Sequence, residues 1–232
     1  MATNKVPRFY DLCATQYAYS KEIFFSHPLI LRCREDVLPF LNDEFGHGIE
    51  HCKKVSIEAG TIVINELGRQ DLHFARHILL LAQLSGLMHD ICRLEPEHAQ
   101  KGAELALLIL RDYPLSQDDK EKIYFAISDH EAFQPRQDTC DELTKILSGA
   151  LYDADKFRWG PDNFVTTLWE ICDYQEWSLE KILLRFPQGM EMIKSISMTF
   201  RTETGQTFGP EFIEIGLEIG HALYRKIKKS CN

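Results

Sequence analysis

At 232 residues, with 44% hydrophobic and 26% charged residues, the chain can bury a substantial core and has the composition of a soluble globular protein. A formal net charge of −9 without a dense basic block argues against nucleic-acid backbone binding as the main task. Any phosphate site must therefore carry its own local positive charge.

No run reaches the ~18 apolar residues of a membrane span, and residues 1–10 lack the apolar centre of a signal peptide. Seven scattered cysteines (13, 33, 52, 92, 140, 172 and 231) form no C-x-x-C pair. Neither a disulfide framework nor a zinc ribbon is expected, and the reading is a reducing cytoplasm.

Strand alternation is absent and helical periodicity recurs. The segment from about Gly48 to Leu67 puts Cys52, Val55, Ala59, Ile62 and Val63 on one face. Phe74 to Ile91 is apolar almost all round, as in a helix at the centre of a bundle. His98 to Asp112 carries Ala99, Ala103, Ala106, Leu107 and Leu110 on one side. Ser116 and Asp119 form a capping-box pattern that opens a helix towards His130. From Asp141 to about Lys156 the buried stripe is Leu143, Ile146, Leu147, Ala150, Leu151 and Ala154. Beyond Gly160, Pro161, Pro187 and the stretch Thr202 to Pro210 are expected to punctuate shorter helices before a last one from about Glu211 to Lys229. The expectation is one all-α domain over 1–232, with a core at about 43–157 and a helical extension at about 161–232.

Polar residues that break these patterns point to chemistry. His89 and Asp90 end the most apolar helix, where burying both without partners would cost several kcal/mol. A divalent cation is an efficient partner for the two together, whereas either alone would be read as a hydrogen-bonded core residue. His51 lies near the buried edge of its helix, and His47 falls before it as a loop or supporting group. In Asp153-Ala154-Asp155-Lys156 the helical wheel does not choose between the aspartates. One could bind metal while the other orients a histidine, or both could be solvated acids. His98 begins a helix and His130 ends one. His73 and His77 are read as surface or packing residues, and His27 and His221 have no partner pattern.

In order, His51 with Val55, the His89-Asp90 doublet and Asp155 resemble the H…HD…D series of the HD superfamily of metal-dependent phosphohydrolases, over roughly Asp43 to Phe157. The resemblance implies a compact HD-type helical bundle with His51, His89, Asp90 and Asp155 as metal ligands, Asp155 ranking above Asp153. His98 and His130 match the two further histidines of the two-metal members, with Asp90 bridging. It implies one or two divalent ions per chain, from among Mn, Fe, Mg, Ni, Co and Zn. Lys156 falls where nucleotide-cleaving branches have a phosphate-contacting cation, and Arg93 is a second candidate. Arg158 is a weaker one, with salt bridging as its preferred role. Glu131 is expected to assist proton transfer or to hold His130. The chain departs from the cyclic-dinucleotide phosphodiesterases in lacking Gly-Tyr-Pro after Glu131 and in having Arg93 where they have lysine.

The implied activity is hydrolysis of a phosphate ester or anhydride, with a small, nucleotide-like phosphorylated substrate favoured and a homo-oligomer allowed. Two alternatives accompany it: a di-iron oxygenase of the same superfamily, and a non-catalytic HD-fold sensor or adaptor.

Overall fold

The computed structural model describes residues 5–41, 48–68, 72–135, 138–139 and 141–230. His47, together with the start of the expected core, lies outside these residues. All the regular elements described are helical, in the order α1 (Phe9–Leu12), α2 (Ala14–Ser26), α3 (Pro28–Val37), α4 (Ile49–Leu67), α5 (Leu72–Met88), α6 (His98–Ile109), α7 (Gln117–Ser128), α8 (Glu142–Phe157), α9 (Leu168–Tyr174), α10 (Leu179–Ile196) and α11 (Glu203–Ser230). Short 3₁₀ turns follow α3 and α6, and a π-helical turn precedes α9. Among the described residues no helix is long and apolar enough to cross a membrane.

Helices α4, α5, α7 and α8 pack on one another at the centre. The stripe expected on α4 (Cys52, Val55, Ala59, Ile62 and Val63) is fully buried. The α4–α5 contact is the most extensive, and it is close because of Gly86. A Cβ at that position would lie 2.7 Å from Ser56 Cα and 2.9 Å from Ser56 N, so main chain meets main chain. Ser56 fastens the crossing by donating to the Gln83 carbonyl at 3.0 Å. Helix α8 is more deeply set than its predicted stripe implies, since every residue from Leu147 to Phe157 is buried.

Around this centre α2 lies on α4, α3 on α5, α6 on α7, and α11 on both α8 and α4. Local chemistry sets several boundaries. The expected capping box is present, with Ser116 Oγ accepting from Asp119 N at 3.1 Å and Asp119 accepting from Ser116 N at 3.0 Å. His27 caps α3, its Nδ1 accepting from Leu29 N at 3.3 Å ahead of Pro28.

Ahead of Gly48 lie α1 to α3, of which α2 has almost no one-sided apolar pattern. One sequence expectation needs correction. Pro187 and Pro210 do not punctuate. They sit inside α10 and α11, and α11 begins at Glu203 instead of about residue 211. An interior proline costs ~3 kcal/mol or more, but both helices bury strong apolar stripes. Phe186, Met190, Ile193 and Ile196 do so on α10, and Phe212, Ile213 and Ile215 on α11.

Candidate metal centre

The residues singled out in the sequence converge at one end of the central helices. His51 stands on the first turn of α4, His89 and Asp90 follow the last residue of α5, His98 opens α6, His130 follows α7, and Asp155 lies in the last turn of α8. Two overlapping groups have all their donor atoms within 4.8 Å of one another: His51, His89 and Asp90, and Asp90, His98 and His130. Asp90 is common to both. Its Oδ2 is 3.2 Å from His89 Nε2 and 3.6 Å from His51 Nε2. Its Oδ1 is 3.5 Å from His130 Nε2 and 3.8 Å from His98 Nε2. Asp155 Oδ1 closes the first group, 3.4 Å from His51 Nε2 and 3.8 Å from His89 Nε2. The four imidazoles follow one another as His51, His89, His130 and His98, with ring centroids 5.2, 5.1 and 5.3 Å apart.

The outer side of each ring explains which nitrogen faces inward. His89 Nδ1 donates to the Gly86 carbonyl at 2.9 Å, and His130 Nδ1 donates to the Ile127 carbonyl at 2.6 Å. His98 Nδ1 is 2.7 Å from Glu131 Oε1. Anchoring the proton on Nδ1 leaves Nε2 directed into the cluster, the arrangement by which second partners prepare histidines for metals. Two ring nitrogens at 3.1 Å, His51 Nε2 and His89 Nε2, beside two carboxylates, concentrate lone pairs and negative charge where positive charge is needed. A mixed imidazole–carboxylate set of this kind suits divalent first-row metals. The residues present therefore fit a divalent cation.

The electrostatics carry the same signature. Burial disfavours the His89 cation, yet Asp90 and Asp155 outweigh it and raise the ring's pKa to about 10. Asp155 is held well below the usual carboxylate range; burial opposes this, and Lys156 with hydrogen bonds from His51 and His89 overcomes it. Burial and the neighbouring His130 push His98 down to about 4, so it is neutral. Cys52, buried beside Asp90 and Asp155, is pushed far up and stays a thiol.

Lys156 is buried at the site, its Nζ 2.5 Å from Asp155 Oδ2 and 5.0 Å from the Tyr152 ring centroid. Arg93 Nη1 donates to His98 Nε2 at 3.0 Å and is 3.8 Å from Asp90 Oδ1. Side-chain exposure rises from 1% at Asp90 through 14% at His98 and 26% at Glu131 to 38% at Arg93, which marks the side on which the cluster meets solvent.

Two expectations change, and Arg158 takes salt bridges, the role preferred for it. Glu131 pairs with His98 and not with His130, because His130 already uses its outer nitrogen on the end of α7. Asp153 is no solvated acid. It is buried and accepts from Arg201 N and Thr202 N, each at 2.8 Å, and from Thr202 Oγ1 at 2.7 Å. Its carboxylate is thereby spent away from the histidines, which leaves Asp155 as the aspartate at the cluster. Arg158 faces away as well, in a buried pair with Glu58 at 2.7 Å, supported by Asp162 and by Tyr10 Oη at 3.2 Å.

Sequence reasoning missed Glu58, Asp129, Ser148 and Arg201. Only the contiguous polar run Ser128-Asp129-His130-Glu131 could have flagged one of them. Of the remaining histidines, His77 pairs with Asp119 at 2.7 Å, outside the cluster. Among the described residues, Cys13, Cys33, Cys52, Cys92 and Cys172 form no disulfide. Comparisons of the chain with protein-family models, with curated proteins and with solved structures gave no match.

Proposed function

We propose that the chain is a metal-dependent phosphohydrolase of the HD type, cleaving a phosphate ester or anhydride, with a nucleotide-like substrate favoured. The observation that carries the reading is the gathering of four histidines around Asp90, with Asp155 beside His51 and His89, from five helix ends, three of the rings having their outer nitrogen anchored. His51, His89, Asp90 and Asp155 would hold a first ion, and Asp90, His98 and His130 a second. A bound divalent cation supplies Lewis acidity and neutralises charge on a phosphoryl oxygen.

The protein's own side chains have distinct tasks in this reading. Glu131 and the carbonyls of Gly86 and Ile127 turn the Nε2 atoms of His98, His89 and His130 inward and fix the rings in orientation. Lys156, buried next to Asp155, and Arg93, at the exposed rim, supply positive charge for phosphate oxygens as negative charge builds on them. In an acidic chain these two cations meet the need for local positive charge at a phosphate site. Arg93 donates to His98, and a phosphate oxygen would compete for that guanidinium.

Elemental analysis of untagged, chelator-free protein tests the reading, wild type against Asp90→Ala, followed by a manganese-supplemented panel of phosphomonoesters, phosphodiesters and nucleoside triphosphates. The expected result is one to two ions per wild-type chain, loss of metal in Asp90→Ala, and hydrolysis of a member of the panel only by the loaded wild type. A metal-free wild type after incubation with manganese, iron and magnesium would sink it. The same six donors would serve a di-iron oxygenase, which oxygen consumption by the iron-loaded protein without phosphate release would reveal. Metal content and activity unchanged in Asp90→Ala would remove the site reading, and absence of metal from the wild type would favour a non-catalytic helical module.

A further inference from the structure

Arg201 is no ligand candidate, yet it is tied to the residue that carries His130 into the centre. The segment that opens α11 is held from two sides. Asp153 on α8 accepts from the main-chain N–H groups of Arg201 and Thr202, each at 2.8 Å. Glu66 at the end of α4 accepts from Thr204 N at 2.8 Å and Thr204 Oγ1 at 2.6 Å. A Cβ on Gly205 would lie 1.9 Å from Asp153 Oδ2, so the chain can seat this closely only with glycine there.

With its main chain so fixed, Arg201 lays its guanidinium 3.7 Å from the Tyr152 ring centroid. Its Nη1 donates to both the carbonyl oxygen of Asp129, at 2.9 Å, and Asp129 Oδ2, at 2.7 Å. Ser148 Oγ donates to the same Oδ2 at 2.8 Å.

Asp129 is where the chain leaves α7, with φ −103° and ψ 8°. A donor that grips both the main-chain and side-chain oxygens of that residue sets the direction in which His130 departs. The connection runs Asp153, Arg201, Asp129, His130, and it ends on Asp90 Oδ1, the half of the centre that also includes His98. We propose that Arg201 is a positioning residue that holds His130 against Asp90, so that the segment ahead of α11 selectively governs the affinity of the Asp90–His98–His130 triad. This rests on the metal-centre reading above.

The test is calorimetric titration of chelator-stripped full-length protein with manganese(II), with elemental analysis, for wild type, Arg201→Met and Arg201→Lys. Far-UV circular dichroism and Tm establish that each is folded. The expected result is two ions in the wild type. In Arg201→Met one ion keeps wild-type affinity and the other is weakened about 10- to 100-fold, the size usual for loss of a supporting partner. Arg201→Lys, which keeps a donor for Asp129, recovers part of the loss and carries the test alone if Arg201→Met does not fold. Equal weakening of both ions alongside a lower Tm, unchanged affinities, or no recovery in Arg201→Lys would overturn the proposal. A wild type that binds a single ion, unaffected in Arg201→Met, overturns it while leaving the proposed function standing. No ion in the wild type removes both.

Discussion

The buried pair between Arg158 and Glu58 makes the sharpest prediction about what α8 does beyond the metal centre. Glu58 is 1% exposed and Arg158 7%, and one guanidinium nitrogen reaches both carboxylate oxygens at 2.7 Å. Arg158→Met deletes the charge while preserving most of the side-chain length. It strands the Glu58 carboxylate, whose pKa burial already raises against the pull of Arg158. Breaking one side of a buried pair costs about 3–5 kcal/mol. For a chain of 232 residues, at about 2–4 °C per kcal/mol, Tm should fall by roughly 6–20 °C. The double variant Glu58→Gln/Arg158→Met removes the stranded charge, and the introduced amide oxygen can still accept the hydrogen bond from Tyr10. It should therefore recover more than half of that loss.

The sign with pH follows from the same carboxyl group. In Arg158→Met the folded-state pKa of Glu58 rises further above its unfolded value of ~4.3. The folded form then binds a proton that the unfolded chain does not, so stability falls as pH rises through that window. Relative to wild type, the deficit should be fully present at alkaline pH and shrink as pH is lowered towards ~4.3. Urea titrations of the three proteins at several pH values, compared at constant slope, measure this. A deficit below about 1 kcal/mol, well short of the broken-pair cost, or one that does not vary with pH, would refute the reasoning. Loss of phosphate release with unchanged stability would return Arg158 to the substrate site.

Other consequences can be checked separately. Asp155→Asn should abolish binding of the first ion. Asp153→Asn should keep the first ion and lose about 1–3 kcal/mol in urea unfolding, since an amide cannot accept from all the donors that Asp153 serves. Equal metal loss in both would contradict the split. Gly86→Ala drives a methyl into the Ser56 main chain, which cannot yield as a side chain could, and should cost about 1–3 kcal/mol or more in thermal unfolding. Hydrogen bonds from Ser116 and His77 outweigh burial and hold Asp119 below the usual carboxylate range. That stability is present above the unfolded pKa and is lost as pH falls through the folded one. Asp119→Asn should therefore flatten the acid limb of a Tm-against-pH curve, and an unchanged limb would count against the capping box as its source.

The all-helical architecture was legible because α4 to α8 write their apolar stripes plainly and one of them opens with a capping box. The donor set was legible for a related reason. His89 and Asp90 stand side by side between Met88 and Ile91 at the end of an almost wholly apolar helix, so their polarity needs an explanation that burial cannot supply. What the pattern could not carry was partnership at long range. Asp153 and Asp155 look alike on a helical wheel, and only the return of residues 201–202 to α8 separates them. Glu58, Arg158, Asp129 and Arg201 each look like solvated charges until their counterparts, 72 to 100 residues distant, are brought alongside. The prolines of α10 and α11 misled for the converse reason, since a local rule was overridden by tertiary burial.

The crossing of α4 and α5 at Gly86 and Ser56 bears on how this protein can drift in evolution. Where two helices touch through main chain, the spacing between them is set by the van der Waals contact of backbone atoms, indifferent to the size of the side chains around it. His51 lies five residues before that contact on one helix, and His89 three residues after it on the other. Substitutions elsewhere in the core can therefore erode stability step by step without widening the gap between the two imidazoles. A lineage of such chains could exchange most of its interior while the separation of its first two ligands stays where the crossing put it.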